Sequence, residues 1–376
     1  MPKVALFFTW DVSLEVWQEK GLLQREVKFY EELAHKGVGV TFLTWGGVQD
    51  IEIGKSLRGI ETVPIYTCMK RPSNKMLRAI VSLYAPWAVR REIKGADIVK
   101  TNQMWGGWCP VLAKVIFRKP LLVRTGFELY QFTRKQHGYA RQVFIWFLSA
   151  VVYRAANLIH LATDDDRAFV KKHFKVPDSK IKIMPNWIDT ELFCPQQVEE
   201  KENHILFVGR LTAQKNLEEL IKAVSGTEWT LDIVGDGELK GALEALAQRS
   251  GAKVNFLGYC PNDRLPALYN RYPVYILPSL YEGNPKTLLE AMACGRAVIG
   301  ADVGGISSVI EDGVTGLLCG THAQSQREAI DKLMKDKMLR QRLGAAARRQ
   351  IEEKQTIERL VNDELASYRF LQEAGS

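Results

Sequence analysis

One stretch constrains this chain more than any other: Pro278-Ser-Leu-Tyr-Glu282-Gly-Asn-Pro285-Lys-Thr-Leu-Leu-Glu290-Ala-Met-Ala-Cys-Gly295. The run Tyr275-Ile-Leu-Pro278 before it reads as a buried parallel strand that a proline ends. Asn284 and Pro285 open a helix, with asparagine as the cap and proline at the first helical position. The residues that follow are good helix formers as far as Gly295. Glu282 therefore sits in a loop at a strand's carboxyl end, and Glu290 lies more than one turn inside the helix. In open α/β sheets that edge is where ligands bind.

The chemistry such an edge offers is specific. A helix start presents backbone N–H groups and the positive end of a dipole, which suits a phosphate, and Lys286 adds charge. A carboxylate accepts two hydrogen bonds, which suits the diol of a ribose or a hexose. Taken singly, Glu282 is a loop charge and Glu290 a solvated helix residue. Taken together with the helix start, they describe a site for a sugar nucleotide.

With 376 residues, 46% hydrophobic and 25% charged, the chain is globular in composition and long enough for two ordinary domains. Its opening run is too short for a secretory signal and reads as a first strand. No segment reaches the roughly 18 uninterrupted apolar residues of a spanning helix. The cysteines at 68, 109, 194, 260, 294 and 319 lack metal-ligand spacing and read as reduced thiols of a cytoplasmic protein. The net charge of +8 is unevenly placed: residues 1–190 hold 29 Lys and Arg against 17 Asp and Glu, and the rest hold 22 against 26. Residues 51–150 carry 17 basic against 5 acidic side chains. Such a field favours an anionic partner, whether a nucleic acid, an acidic lipid surface or a phosphorylated or acidic substrate.

Strand and helix signals alternate through both halves, which predicts parallel sheets. In the first half strands are expected at 3–9, 38–44, 62–66, 98–100 and 121–124, then around 157–162 and 181–185, with a helix over 22–36. No G-x-G-x-x-G follows the first strand, which argues against a dinucleotide-binding dehydrogenase. Gly21, just before the helix, is either a plain turn or a place where backbone approaches a phosphate. The apolar run Val143 to Tyr153 reads as a buried core helix, the alternative being a membrane-dipping helix beside Arg134, Lys135 and Arg141. Asp164, Asp165 and Asp166 suit a helix N-terminus better than a metal. The polar stretch 195–203 marks a linker. Beyond it strands are expected at 204–209, 230–234, 254–257, 297–300 and 316–318, followed by helices over 327–343 and 356–371.

Three strand ends of the second half carry matched chemistry: Gly209-Arg210 with Lys215, Gly235-Asp-Gly237, and Glu282 with Glu290. Two fixed cations beside a helix-start phosphate site are what a departing diphosphate requires. The second half resembles the donor-binding domain of the retaining glycosyltransferases of family 4. The pieces that carry the resemblance are Phe207-Val-Gly-Arg-Leu with Lys215-Asn, Ile233-Val-Gly-Asp-Gly, Phe256-Leu-Gly-Tyr, Leu277-Pro-Ser with Glu282-Gly, and Leu289-Glu-Ala-Met-Ala-Cys-Gly. Val303-Gly-Gly-Ile, Glu311-Asp-Gly-Val-Thr-Gly-Leu and the segment Pro185-Asn186-Trp-Ile-Asp189 to Phe193 fit as well. The match runs over roughly residues 150–320, and the first half shares only the family's layout.

The resemblance implies the α/β fold called GT-B, two Rossmann-like parallel-sheet domains facing each other across a cleft. It implies an acceptor-binding domain over 1–190, onto which a last helix at about 357–373 returns, and a donor-binding domain over 191–356. A UDP- or GDP-sugar is then the donor, and a hydroxyl of a glycan or lipid-linked glycan, as in cell-surface polysaccharide or lipopolysaccharide assembly, the acceptor. Arg210 and Lys215 would neutralise the diphosphate, Glu290 would hold the ribose and Glu282 would face the donor sugar. Gly209 and Gly235 would line the site, with Tyr259 and Cys260 along the base and the backbone of Asn284, Pro285, Lys286, Thr287 and Leu288 on the sugar or phosphates. No metal or cofactor is expected, since two cations and a helix dipole do a metal's work.

Two positions depart from the family pattern. A histidine is usual after the strand Leu121-Leu-Val-Arg124, and here the run is Arg124-Thr-Gly126-Phe-Glu128. Arg124 and Glu128 are left as acceptor or donor-sugar contacts, or as a buried structural pair. Trp187 stands where glycine is usual, and none of the histidines at 35, 137, 160, 173, 204 and 322 is suitably placed for catalysis. The basic first domain fits an anionic acceptor or peripheral attachment to the inner face of a membrane. A sugar-nucleotide epimerase would also use the phosphate site. A nucleic-acid binder would leave Glu282 and Glu290 unexplained.

Overall fold

The computed structural model describes residues 1–136 and 138–374; His137 and the side chains of Lys135 and Gln136 lie outside the description. The chain divides into two compact units, one made of Met1–Met184 with the chain from Leu360 onward, the other of Pro185–Arg359.

The first unit is built on seven parallel strands: β1 (Lys3–Phe7), β2 (Gly39–Thr44), β3 (Ile60–Pro64), β4 (Ile98–Thr101), β5 (Leu121–Thr125), β6 (Leu158–Leu161) and β7 (Ile181–Ile183), in the order β3-β2-β1-β4-β5-β6-β7. The second has six: β8 (His204–Val208), β9 (Thr230–Val234), β10 (Val254–Gly258), β11 (Val274–Leu277), β12 (Ala297–Ala301) and β13 (Leu317–Cys319), in the order β10-β9-β8-β11-β12-β13. Neighbouring strands pair in parallel throughout both sheets. Parallel strands need helical crossovers that cover both faces, which is why their sequences are continuous apolar runs. Accordingly β4, β6, β11 and β12 are buried along their whole length.

Helices departed from expectation more than strands. The loop after β1 contains a short helix, Leu14–Glu19, capped by Ser13 and by the buried Asp50 carboxylate, which accepts the Leu14 and Glu15 amides. Gly21, at φ 64°, makes the turn that ends this helix and leads to the next, Leu23–His35. At the other end of the chain, one expected helix is two, Ala323–Lys335 and Lys337–Lys354, because the Asp336 side chain caps the second by accepting the Leu339 amide.

The buried core helix expected at 143–153 is a correction. A helix forms over Tyr139–Ala155, but only Ile145, Leu148, Ser149, Val152 and Tyr153 are buried, while Val143, Phe144, Trp146, Phe147 and Val151 are exposed. A segment apolar on every side carries no periodic signal of which side packs.

The last helix, Ile357–Glu373, lies from Leu360 onward in the first unit. There Glu364, fully buried, is bound by the Lys100 ammonium of β4 and lies 3.2 Å from His160 Nδ1 of β6.

Candidate active site

In the second unit the strand order reverses between β8 and β11, whose chain continuations diverge to β9 on one side and β12 on the other. Loops leaving two such strands part and open a crevice at their carboxyl ends. The loop after β8 carries Gly209, Arg210 and Lys215, and the loop after β11 carries Glu282 and leads into the helix Lys286–Ala293. The four residues expected to act together thus meet at the one edge of this sheet shaped to hold a ligand.

Glycines let the loops approach closely. Gly235 follows β9 at φ 134°, and a Cβ there would lie 1.9 Å from the Gly209 carbonyl oxygen. Gly305, at φ 85°, backs the Glu282 loop, where a Cβ would lie 2.1 Å from the Gly283 carbonyl oxygen. Side chains complete the stitching. The Gln214 carbonyl accepts the Leu280 amide at 2.8 Å, and the Gln214 carboxamide donates to the Tyr281 carbonyl at 2.8 Å. Asn216, held at φ 55°, donates to the carbonyls of Pro278 and Thr321.

Lys215 Nζ consequently donates directly to Glu282 Oε1. Their side chains are 12% and 10% exposed, so the pair is sheltered but reachable. Arg210 is exposed on the same loop.

Glu290 is not the solvated residue that its helix position alone suggests. It is 1% exposed, and the Tyr269 hydroxyl donates to its Oε2 at 3.0 Å. Burial and the Glu290 charge push the Tyr269 hydroxyl well above its ordinary titration range, so it remains a donor. Tyr275 donates its hydroxyl to Thr287 Oγ1 at 2.9 Å.

The helix start differs from expectation in one respect: Pro285 occupies the cap position, and Asn284 turns away to the segment before β8. The Asn284 carboxamide oxygen accepts the Asn186 amide at 2.7 Å, and the Asn284 carbonyl accepts from Asn186 Nδ2 at 2.6 Å. No side chain caps the helix Lys286–Ala293, which leaves its first turn to be met by other acceptors. Pro285 has no amide hydrogen, and the Leu288 amide donates to the Pro285 carbonyl at 3.2 Å. The Lys286 ammonium lies 5.1 Å from the centroid of the Trp187 ring, itself buried. Tyr259, exposed, and Cys260, whose thiol burial pushes up, follow β10 at the sheet's edge; a backbone bond from Gly235 to the Gly258 carbonyl connects them to the rest.

In the first unit Arg124 and Glu128 part company. The Arg124 guanidinium lies 5.9 Å from the centroid of the Phe29 ring. Glu128 is fully buried, where it accepts from the Tyr153 hydroxyl at 3.2 Å and from the Gln131 amide at 2.5 Å. Among the described residues no ion pair joins the two, so the alternative of a buried Arg124–Glu128 pair does not form. Burial raises the Glu128 carboxyl to about 7 and Asp166, near it, to about 6.

Sequence reasoning missed Tyr269 and Gln214, and it placed Tyr275, Asn186 and Asn216 in its motifs without a supporting role. Each bonds a residue distant in the chain, and no local pattern marks that partnership.

These features coincide with what comparison finds. The family described as "Glycosyl transferases group 1" matches residues 189–350, and that described as "Glycosyltransferase Family 4" matches residues 27–192. An uncharacterized glycosyltransferase of Methanocaldococcus jannaschii is 31% identical over 220 residues, 53% of this chain and 56% of that protein, so the match spans about half the length of that relative. The UDP-Gal:alpha-D-GlcNAc-diphosphoundecaprenol alpha-1,3-galactosyltransferase of Escherichia coli is 29% identical over 289 residues, 70% of this chain and 72% of that protein. The sucrose-phosphate synthase of Thermosynechococcus elongatus superposes with a TM-score of 0.77 at 18% identity, covering 100% of both chains. With its two parallel sheets and with family matches that together run from residue 27 to residue 350, the chain belongs to the glycosyltransferases of family 4, with the GT-B fold.

Proposed function

We propose that this glycosyltransferase moves a sugar from a UDP- or GDP-sugar to a hydroxyl of a glycan or lipid-linked glycan, with retained anomeric configuration and no metal ion, in the assembly of a cell-surface polysaccharide or lipopolysaccharide. The observation that carries the reading is the Lys215–Glu282 pair beside the uncapped start of the helix Lys286–Ala293. A diphosphate arriving there competes with Glu282 for Lys215, with Arg210 and the helix N–H groups as further partners. Glu282, relieved of its lysine, is then free to accept hydroxyls of the donor sugar. Glu290, which accepts from Tyr269, is the carboxylate assigned to the ribose diol. The bond from the anomeric carbon to the diphosphate oxygen breaks as the acceptor oxygen bonds that carbon from the same face. The acceptor's proton passes to the departing phosphate oxygen, and Lys215 and Arg210 stabilise the charge that develops. The Escherichia coli relative supports the donor and acceptor classes, being named for a UDP-sugar and a lipid diphosphate-linked acceptor.

A panel of sugar nucleotides tests this in the presence of a chelator. One UDP- or GDP-sugar is expected to raise the unfolding temperature and to be turned over, with the configuration of the product read by NMR. An inert panel, full dependence on a divalent ion, or inversion would count against the reading.

A further inference from the structure

The first unit carries an apolar surface that its own fold does not cover. On the helix Tyr139–Ala155, Tyr139, Val143, Phe147 and Val151 recur at every fourth position, and all four are exposed, Phe147 by 62%. A second run of the same kind follows β3. No residue of the helix Lys75–Val81 is buried, and Ile80, Leu83 and Trp87 continue an outward apolar stripe into the next turns, Ile80 being 60% exposed. Between them lies the helix Trp108–Phe117, which packs against both neighbours and exposes Val115 and Ile116. Ring contacts join them: Trp87 to Phe117 at 6.3 Å, and Trp105, in the turn before the helix Trp108–Phe117, to Phe144 at 6.5 Å. Monomeric proteins rarely leave so many large side chains uncovered on adjacent helices.

Charge decides what covers them. Residues 70–91 contain six Lys and Arg and no acidic residue. Residues 98–163 contain nine Lys and Arg and one acidic residue, Glu128, which is buried. Of these, Lys75, Arg90, Arg118, Arg141 and Arg154 are exposed on or beside the apolar helices. A second copy docked on this face would bring two basic fields together, whereas an anionic bilayer meets both the apolar stripes and the charge. Among the described residues no helix is long and apolar enough to cross a membrane.

We propose that this face of the first unit is a docking surface for an anionic lipid bilayer, with the helix Tyr139–Ala155 and the segment 75–88 lying in the interfacial plane. The inference is independent of the transfer reaction, since it uses no residue of the second unit. Flotation of the full chain with vesicles of equal parts phosphatidylglycerol and phosphatidylcholine tests it, against vesicles of phosphatidylcholine alone. The chain is expected to float with the anionic vesicles, with a blue shift of tryptophan emission, and to be released by salt. The double variant Ile80→Glu, Phe147→Glu should lose more than about tenfold in partitioning. The variant Arg141→Gln, Arg154→Gln should lose roughly fivefold per charge on anionic vesicles only. Near-native circular dichroism controls for folding. Absence of flotation, equal binding to both vesicle types, or unchanged partitioning of both variants would overturn the proposal. So would a stable dimer that Phe147→Glu dissociates, which would make the face a self-association surface.

Discussion

Lys100 and Glu364 in the first unit, and Lys215 and Glu282 in the second, are chemically the same contact in different surroundings. The first pair is fully buried: His160 Nδ1 lies 3.2 Å from the second Glu364 oxygen, His160 Nε2 is 3.1 Å from Ser367 Oγ, and the lysine sits 5.2 Å from the Tyr30 ring centroid. The second pair stands on loops, is partly exposed, and adjoins a helix end without a cap. A buried charge is tolerated only beside a counter-charge, so the first pair, out of a ligand's reach, serves to hold the last helix onto the sheet. The second keeps access, so an incoming phosphate can rearrange it. Exposure, more than residue identity, separates a clasp from a site.

Removing one partner of the buried pair should have the largest effect. Glu364→Ala leaves the Lys100 charge buried without its counter-ion and is expected to cost about 3–5 kcal/mol in denaturant unfolding, most of which the double change Lys100→Met, Glu364→Leu restores. A loss near that of a surface pair would erase the distinction. Lys215→Ala should do the reverse, slowing transfer by about 100–1000-fold with little change in the unfolding midpoint. If stability fell as much as the rate, the second pair too would be a clasp.

Carboxyls without a cation sharpen the contrast through pH. Glu128 titrates at about 7 in the folded chain against 4.5 when unperturbed, because burial disfavours its charge. On raising the pH the unfolded chain loses this proton first, so stability should fall between about pH 4.5 and 7 and level off above, by roughly 3 kcal/mol. Glu364 has the opposite sign: Lys100 and His160 hold it well below its ordinary range, so its contribution is present above pH 4.5 and is lost as the pH falls through its folded value. Glu128→Gln should flatten the fall toward neutral pH, leaving the smaller part due to Asp166; an unchanged profile in unfolding titrations would remove Glu128 as its source. The smallest effect should come from Trp187→Leu, which removes the ring beneath Lys286. A cation over an aromatic face contributes about 0.5–1 kcal/mol, which corresponds to a two- to fivefold rise in the donor's KM with kcat unchanged.

The strands were legible because a parallel sheet covered on both faces demands uninterrupted apolar runs, and runs such as Ala297-Val-Ile-Gly300 have no other use. The short helices between β3 and β4 were not, because Lys75–Val81 buries none of its apolar residues and both it and Ala85–Ala88 have too few turns to show a period. The helix Tyr139–Ala155 was recognised as a helix and misread as buried, since hydrophobicity alone does not tell a core from an uncovered face. At the candidate site, Glu282, Glu290, Arg210 and Lys215 stood out because glycine-marked strand ends place them locally. Their supports did not: Tyr269 reaches Glu290 from another helix, and Asn186 reaches Asn284 across 98 positions.

By itself the sequence determined the parallel α/β architecture, the edge at which the motif residues collect, and the positive field of the first half, because each follows from local pattern or composition. Only the tertiary structure decided which charges are structural and which are accessible, that Glu290 is buried against Tyr269, and that a run of aromatic residues faces outward. Burial and partnership depend on residues far apart in the chain, such as Lys100 and Glu364 at a separation of 264, and no local pattern records them.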